Sequence, residues 1–153
     1  MKKIPITSLR EVEEIINSVE VCTLAMVDGD VPYAIPMNFA YSDGYLYFHG
    51  APFGRRIEIL KNNSNVCAVF YNGADMYIQN EKVACSYSMK FRSVLVNGKL
   101  ENIIDDSEKR NILNKVMKHY VGKDDFKYSD PAIKNVHVVR LKLDNYTAYK
   151  RGY

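Results

Sequence analysis

The 153-residue chain contains no tryptophan and only three cysteines, Cys22, Cys67 and Cys85. Three cysteines cannot all pair within one chain, and no two of them are spaced as Cys-x-x-Cys, which excludes a disulfide scaffold and a thioredoxin-type redox motif. Each cysteine lies among apolar neighbours. We therefore expect buried free thiols and a protein of the reducing cytoplasm.

The sequence also lacks a large charge surplus and any long hydrophobic run. Its 21 Lys and Arg side chains stand against 18 Asp and Glu, and the net charge of +3 is too small and too dispersed for a nucleic-acid surface. No apolar segment approaches the length of a membrane span, and the first residues lack the apolar region of a signal peptide. We expect one domain over 1–153 that binds neither nucleic acid nor membrane, which leaves room for a local anionic ligand.

Several catalytic patterns are missing as well. No Ser/His/Asp set, no paired carboxylates and no Walker-type phosphate loop stand out, and neither His119 nor His137 has a second ligand at metal spacing. The sequence predicts no metal site.

Hydrophobic periodicity predicts a mixture of short strands and helices. Three helices are expected at about 8–18, 55–63 and 105–121, the first and last with capping-box patterns. The predicted strands span 21–27, 31–41, 45–49, 65–71, 88–103 and 136–143. Residues 72–85 are hard to place, and 122–134 are predicted as a loop. These elements indicate an α+β fold whose antiparallel sheet closes into a small barrel, because closure removes exposed edges.

Pro36 interrupts an otherwise convincing strand. Proline cannot donate to a strand ladder, so it belongs at an edge or a bulge. Alternation places Tyr33, Ile35, Met37, Phe39 and Tyr41 on the core side and leaves a small, flat face of Ala34, Pro36, Asn38 and Ala40. A planar ligand could lie against that face and bind the main chain around Met37 and Asn38. The alternative is an edge strand that uses proline only against aggregation.

The stretch FHGAPFGRR, residues 48–56, breaks a strand into small residues and then begins a helix. Gly50 and Ala51 permit close approach to the backbone, and Gly54 precedes a helix N-terminus, which attracts anions. Arg55 and Arg56 are electrostatically misplaced in a first helical turn by roughly 0.3–1 kcal/mol each. Together they predict a bound phosphate, with a solvated pair of arginines as the alternative. His49 lies at the end of the strand and is a candidate functional residue. The alternative is a structural role in which it only forms hydrogen bonds.

Four segments carry a family resemblance: P-Y-x-x-P-x-N-F from Pro32, Y-F-H-x-A from Tyr47, G-R-R from Gly54, and R-S-V-x-V-x-G from Arg92. In this order the chain, over roughly residues 8–152, resembles the pyridoxamine 5′-phosphate oxidase-like flavin-binding split barrels. It looks most like their 5-nitroimidazole reductase branch. The resemblance implies a six-stranded antiparallel split β-barrel with two to four short helices, in a homodimer with two flavins at the subunit interface.

The same resemblance implies roles for individual residues. The flavin ring would contact the backbone of Pro36, Met37, Asn38 and Phe39, and Ser93 would reach the cofactor, whereas alternation points Arg92 to the opposite face. His49, Gly50 and Ala51 would lie along the ribityl chain and the phosphate, which Arg55 and Arg56 would grip. In the nitroimidazole branch the histidine of Y-F-H-x-A lies beside the flavin, which makes His49 the candidate catalytic residue.

These expectations describe a flavin-dependent oxidoreductase with FMN, or FAD, that reduces small electron-poor acceptors such as nitroaromatics. The alternatives are a flavin-binding sensor module without turnover, a barrel for another phosphate-bearing cofactor such as a deazaflavin, and a pyridoxamine 5′-phosphate oxidase-type enzyme. The last is disfavoured, because true oxidases end in a tail with histidine and tryptophan, whereas this chain ends in AYKRGY.

Overall fold

The computed structural model describes all residues, 1–153, as ten strands and four α-helices. The strands are β1 (Lys3–Pro5), β2 (Cys22–Asp28), β3 (Val31–Met37), β4 (Phe39–Ser42), β5 (Tyr45–Gly50), β6 (Asn65–Ile78), β7 (Tyr87–Lys99), β8 (Glu101–Ile103), β9 (His137–Lys142) and β10 (Tyr146–Arg151). The helices are α1 (Leu9–Asn17), α2 (Arg55–Asn62), α3 (Asp106–Val121) and α4 (Asp130–Lys134).

Two antiparallel sheets share the strands. The larger has six strands in the order β1-β10-β7-β6-β2-β3, and the smaller has four in the order β4-β5-β9-β8. The chain crosses between the sheets through single residues, Asn38 between β3 and β4 and Leu100 between β7 and β8. Because these strands continue from one sheet into the other, the sheets close around one core, and the α+β split-barrel prediction is confirmed.

The main core lies between the two sheets. It contains 21 buried side chains, among them Phe39, Phe48 and Phe70, which are fully buried. A second, smaller cluster fills the space between the four-stranded sheet and helices α3 and α4. Each sheet therefore has one face on the main core, and the outer face of the four-stranded sheet is covered by helices.

Local sequence signals account for most element boundaries. The Ser8 and Asp105 side chains accept hydrogen bonds from the amides of Glu11 and Glu108, as the capping patterns predict. The hairpin between β4 and β5 turns through Asp43 and Gly44, which both have positive φ, as a two-residue hairpin of this type requires.

Some boundaries differ from the predictions. Strand β6 continues to Ile78 through a bulge between Asn72 and Asp75, so half of the unplaced segment is strand. Residues 130–134, predicted as loop, form α4, whose first turn contains Pro131 and is capped by Ser129.

The prediction of three buried thiols is only partly correct. Cys22 is buried, and burial raises the pKa of its thiol to about 12. Cys67 is half-buried on β6, whereas Cys85 is exposed in the turn between β6 and β7. The sequence around Cys85 is apolar, but the hairpin that carries it projects beyond the barrel.

No helix is long and apolar enough to cross a bilayer.

Candidate functional site

The break at Asn38 is where the chain leaves one sheet for the other. Strand β3 is the edge of the six-stranded sheet, and Pro36 is exposed there opposite Thr23, as the proline predicts. Tyr33, Ile35 and Met37 pack against the core, while Ala34, Pro36 and Asn38 are exposed. A strip of exposed backbone with small side chains therefore runs along this edge.

Ala40 departs from the predicted pattern. It was expected on the flat exposed face, but it is only 1% exposed. Beyond Asn38 the chain belongs to the four-stranded sheet, whose outer face is covered by α3, so the flat face ends at Asn38.

Tyr120, near the end of α3, holds this break in place. Its hydroxyl accepts a hydrogen bond from the Phe39 amide at 3.1 Å and donates one to the Glu20 carbonyl at 2.5 Å. The neighbouring His119 packs its ring against that of Phe39, with centroids 5.1 Å apart. The sequence predicts this helix but not this contact, because the long-range partner of a tyrosine hydroxyl has no local signal.

Gly50 ends β5 at a point where a side chain would require the Arg56 guanidinium to shift. A Cβ atom built on Gly50 would lie 2.8 Å from Nη2 of Arg56, so the guanidinium lies directly against this backbone. Arg56 Nη2 also donates a hydrogen bond to the Ala51 carbonyl at 3.0 Å. The small residues of FHGAPFGRR therefore leave space that the Arg56 side chain itself occupies.

Arg56 is a buried cation without an anionic partner. Only 8% of the Arg56 surface is exposed, and its Nη1 atom is buried with no hydrogen-bond partner. No carboxylate forms an ion pair with its guanidinium, because the neighbouring Asp28 pairs with Arg55 instead. Burial lowers the pKa of Arg56, yet a guanidinium stays charged inside proteins. An unpaired buried charge is costly, so this position favours an anion that the chain itself does not supply.

Arg55 points elsewhere. It lies over the Tyr33 ring at 4.6 Å and forms an ion pair with Asp28 at 3.4 Å, both at the surface. Helix α2 begins after Gly54, which has a φ of 100° and provides no side-chain cap. At the N-terminus of this helix, Arg56 thus lies in the interior and Arg55 lies at the rim.

Two histidines flank the end of β5. His49 points toward α3 and α4, and its Nδ1 is buried without a partner. Burial, and then the charge of Arg56, lower the pKa of His49, so its imidazole is neutral at pH 7. His137 pairs with Gly50 across the ladder, and its Nδ1 is also buried without a partner, while Nε2 lies 2.8 Å from Asn102 Oδ1.

His137 was not singled out by the sequence. Burial is the main cause that lowers the pKa of His137, and the nearby charges of Arg56 and Lys109 lower it further. We name the group of Gly50, Ala51, Arg56 and His137 the cradle. The pairing of β5 with β9 brings His137 to it, and only the sheet register reveals that neighbour.

Ser93 lies apart from this group. It is on β7, on the same outward face of the six-stranded sheet as Pro36, but β2 and β6 stand between them. Three strand spacings across the sheet, and two residues along β7, separate Ser93 from Pro36 by roughly 16 Å. Arg92 lies on the opposite face, as alternation predicts, with its guanidinium 3.8 Å from the centroid of the Tyr153 ring.

The sequence matches a protein-family model described as pyridoxamine 5′-phosphate oxidase over residues 8–150. The chain belongs to this family. Among curated proteins, no sequence matches it.

Solved structures show the same fold. A candidate 5-nitroimidazole antibiotic resistance protein from Bacteroides thetaiotaomicron is 40% identical, with a TM-score of 0.86 over 97% of this chain and 87% of that one. An FAD and heme binding protein from Mycobacterium smegmatis has a TM-score of 0.88 at 17% identity, over 100% and 75% of the two chains. The flavocytochrome Anf3 from Azotobacter vinelandii has a TM-score of 0.86 at 19% identity, over 97% and 70%.

The role of Tyr120 is testable with the substitution Tyr120→Phe, which keeps the ring and leaves the Phe39 amide unpaired. We expect the free energy of unfolding in urea to fall by about 1–3 kcal/mol, the cost of a buried unsatisfied group. Tyr128→Phe is the matched control, because the Tyr128 hydroxyl bonds only the Asn114 side chain. Equal losses in the two variants would contradict the anchoring role.

Proposed function

We propose that the chain binds a flavin phosphate in the cradle and acts as a flavin-dependent oxidoreductase. The observation that carries the proposal is the buried Arg56 guanidinium, which has no anion of its own and lies against a glycine backbone. A phosphate monoester supplies a charge of about −1.5 to −2 at pH 7. It also supplies the acceptor oxygens that a guanidinium and nearby amides can bind. The residues present therefore fit the phosphate-bearing end of such a cofactor.

The rest of a flavin would follow the edge of the sheet. The backbone of Pro36, Met37, Asn38 and Phe39 would lie along the ring, because Pro36 and Asn38 are exposed on this strip and have small side chains. His49 is the residue after Phe48, which pairs with Phe39 at the end of the β4–β5 ladder, so His49 lies near the point where the strip crosses between the sheets. Arg55, at the rim, would add a second cation to the phosphate by leaving Asp28.

The protein's own contribution is binding, orientation and the exclusion of water. A bound flavin supplies the transfer of a hydride or an electron pair to a small electron-poor acceptor. Arg56 would neutralise the phosphate, Tyr120 would fix the backbone strip, and His49 would offer a neutral imidazole to the acceptor. The 40% identical Bacteroides protein, named for 5-nitroimidazole resistance, supports nitro-heterocycles as the acceptor class.

We favour FMN as the cofactor, because the cradle holds a single buried cation and so matches a single phosphate. FAD shares that phosphate, and the mycobacterial neighbour is named for binding it. The free thiols of Cys22, Cys67 and Cys85 fit a reducing compartment such as the cytoplasm.

We further propose that two chains form a homodimer through the outward face of the six-stranded sheet. No helix covers this face, and Val69 and Leu95 lie on it, in line with Pro36. Beyond the barrel the face continues along the hairpin of β6 and β7 with four exposed apolar side chains, Met76, Ile78, Tyr87 and Met89. Ser93 lies on this face, so a partner chain would bring it to the other chain's flavin.

The cradle is tested by Arg56→Met, which removes the charge and keeps an apolar side chain. We expect FMN affinity to fall about tenfold or more, given about 1.5–3 kcal/mol for a hydrogen bond to a charged group. Stability of the flavin-free protein should be unchanged or higher, because an unpaired buried charge is removed. Lys61→Met, on the exposed side of α2, is the control.

Isothermal or fluorescence titration with FMN measures this affinity, and urea unfolding measures the stability. Equal FMN dissociation constants for Arg56→Met and Lys61→Met would refute the cradle.

A second candidate function is a flavin-binding sensor module, and the lack of an acid/base pair favours it. Measuring turnover distinguishes an enzyme from such a module. We expect the flavin-loaded protein to oxidise NADH or NADPH in the presence of a nitroaromatic acceptor. The measurement is anaerobic absorbance at the nicotinamide band, with flavin alone as the control. Rates no faster than free flavin with either donor would favour the module.

The dimer is tested by Met89→Asp, which places a charge on the apolar hairpin face. We expect sedimentation velocity to show monomers and flavin uptake to fall, because the partner's side of the site is lost. Ser88→Asp is the matched control, since the adjacent residue points to the opposite face of the hairpin. A wild-type protein that sediments as a monomer would contradict the proposal.

A further inference from the structure

The hairpin of β6 and β7 projects beyond the barrel as an arm, which we define as residues 73–90. None of the side chains from Tyr71 to Ser93 is buried, and none belongs to either core cluster. A two-stranded hairpin without a core is marginally stable in water. The direction of the arm relative to the barrel therefore depends on contacts from outside the hairpin.

The base of the arm interrupts the strand ladder. The register between β6 and β7 shifts between Asn72 and Asp75, so Gly73 and Ala74 lie outside the regular pairing. A bulge of this kind bends its strand and leaves backbone groups unpaired. The arm can therefore bend relative to the barrel at this position unless another group holds it.

Tyr153 contacts both strands of the arm at the bulge. Its hydroxyl lies 2.8 Å from the Gly73 carbonyl oxygen and 2.5 Å from Asp75 Oδ2, both on β6. On β7, the Arg92 guanidinium lies 3.8 Å from the centroid of the Tyr153 ring, and Lys90 Nζ lies 5.8 Å from it. A hydrogen bond to a carboxylate and cations beside an aromatic ring are both attractive. One side chain thus ties the two strands together.

Two further features favour this contact. Gly152 has a φ of 78°, and a Cβ atom there would lie 2.7 Å from Lys90 Cγ, so the chain passes directly against the arm. The hydrogen bond to Asp75 is the main cause that raises the pKa of Tyr153 above its ordinary value. The Tyr153 hydroxyl is therefore protonated at pH 7, and its proton is shared by the Gly73 and Asp75 oxygens.

From these contacts we infer that Tyr153 is a latch that holds the arm in the direction in which its apolar face meets a second copy of this chain. Strand alternation places Asp75, Lys90 and Arg92, and with them the latch, on the face opposite Met89. The latch therefore positions the proposed dimer interface without being part of it. This role rests on the homodimer that we propose above.

The latch also bears on the flavin site. Ser93, which a partner chain would bring to the other chain's flavin, directly follows Arg92 on β7. The contact of Arg92 with the Tyr153 ring therefore fixes the strand segment that carries Ser93. Tyr153 is a positioning residue in this account, because it acts on the flavin only through the arm and the dimer.

Hydrogen–deuterium exchange of the full chain measures whether the arm is held. Tyr153→Phe keeps the ring against Arg92 and removes only the hydroxyl. We expect the amides of 75–78 and 87–90 to exchange about tenfold faster, and those around Phe70 and Val94 to be unchanged. Tyr77→Phe is the matched control, because Tyr77 lies on the same face of the arm and its hydroxyl forms no hydrogen bond with the chain.

Sedimentation velocity and FMN titration, each at several protein concentrations, measure the consequence. Tyr153→Phe should raise the dimer dissociation constant about tenfold, whereas Tyr77→Phe should leave it unchanged. FMN uptake by Tyr153→Phe should fall at low protein concentration and return to the wild-type value where the dimer re-forms. A loss of FMN uptake that persists at every concentration would contradict a role through the dimer.

Two other outcomes would overturn the latch. They are equal exchange of the arm in Tyr153→Phe and Tyr77→Phe, and faster exchange in Tyr153→Phe with an unchanged dimer dissociation constant. Failure of the proposed function looks different. If the cofactor proposal fails, FMN does not bind, but the dimer still weakens in Tyr153→Phe. If the dimer proposal fails, the wild-type chain itself sediments as a monomer at every concentration.

Discussion

A buried guanidinium without a carboxylate is the constraint on which the site depends. Arg56 enters the protein at the N-terminus of α2, contacts the Gly50 backbone and uses the Ala51 carbonyl, yet its Nη1 has no partner. Burial of a charge is tolerated only when other interactions compensate for lost hydration. The glycine at position 50, the break after β5 and the exposed helix start are all consistent with an anion that completes this group.

The single-residue crossing at Asn38 is the second feature of the proposed site. Because β3 and β4 belong to different sheets, the backbone between them is exposed at an edge, and Tyr120 keeps it in one conformation. The cradle lies on one side of β5, and His49 faces α3 and α4 on the other. One strand end thus separates the side where we propose a phosphate from the side that His49 faces.

The fold could be predicted from sequence wherever the signal was local. Capping residues placed α1 and α3, and Pro36 marked an edge strand. Long-range pairing had no such signal: the end of β6, the partner of Gly50 on β9 and the hydroxyl bond of Tyr120 follow from tertiary register. Arg55 and Arg56 looked alike in sequence, but a helix turns neighbouring side chains about 100° apart, so one faces the interior and one the solvent.

The central claim is that the anion completing Arg56 is the phosphate of a flavin. Equilibrium titration of the flavin-free wild-type protein with FMN and with riboflavin, which differ only in that phosphate, tests it most directly. The account predicts that FMN binds at least tenfold more tightly than riboflavin. Equal affinities, or no binding of either flavin, would contradict it.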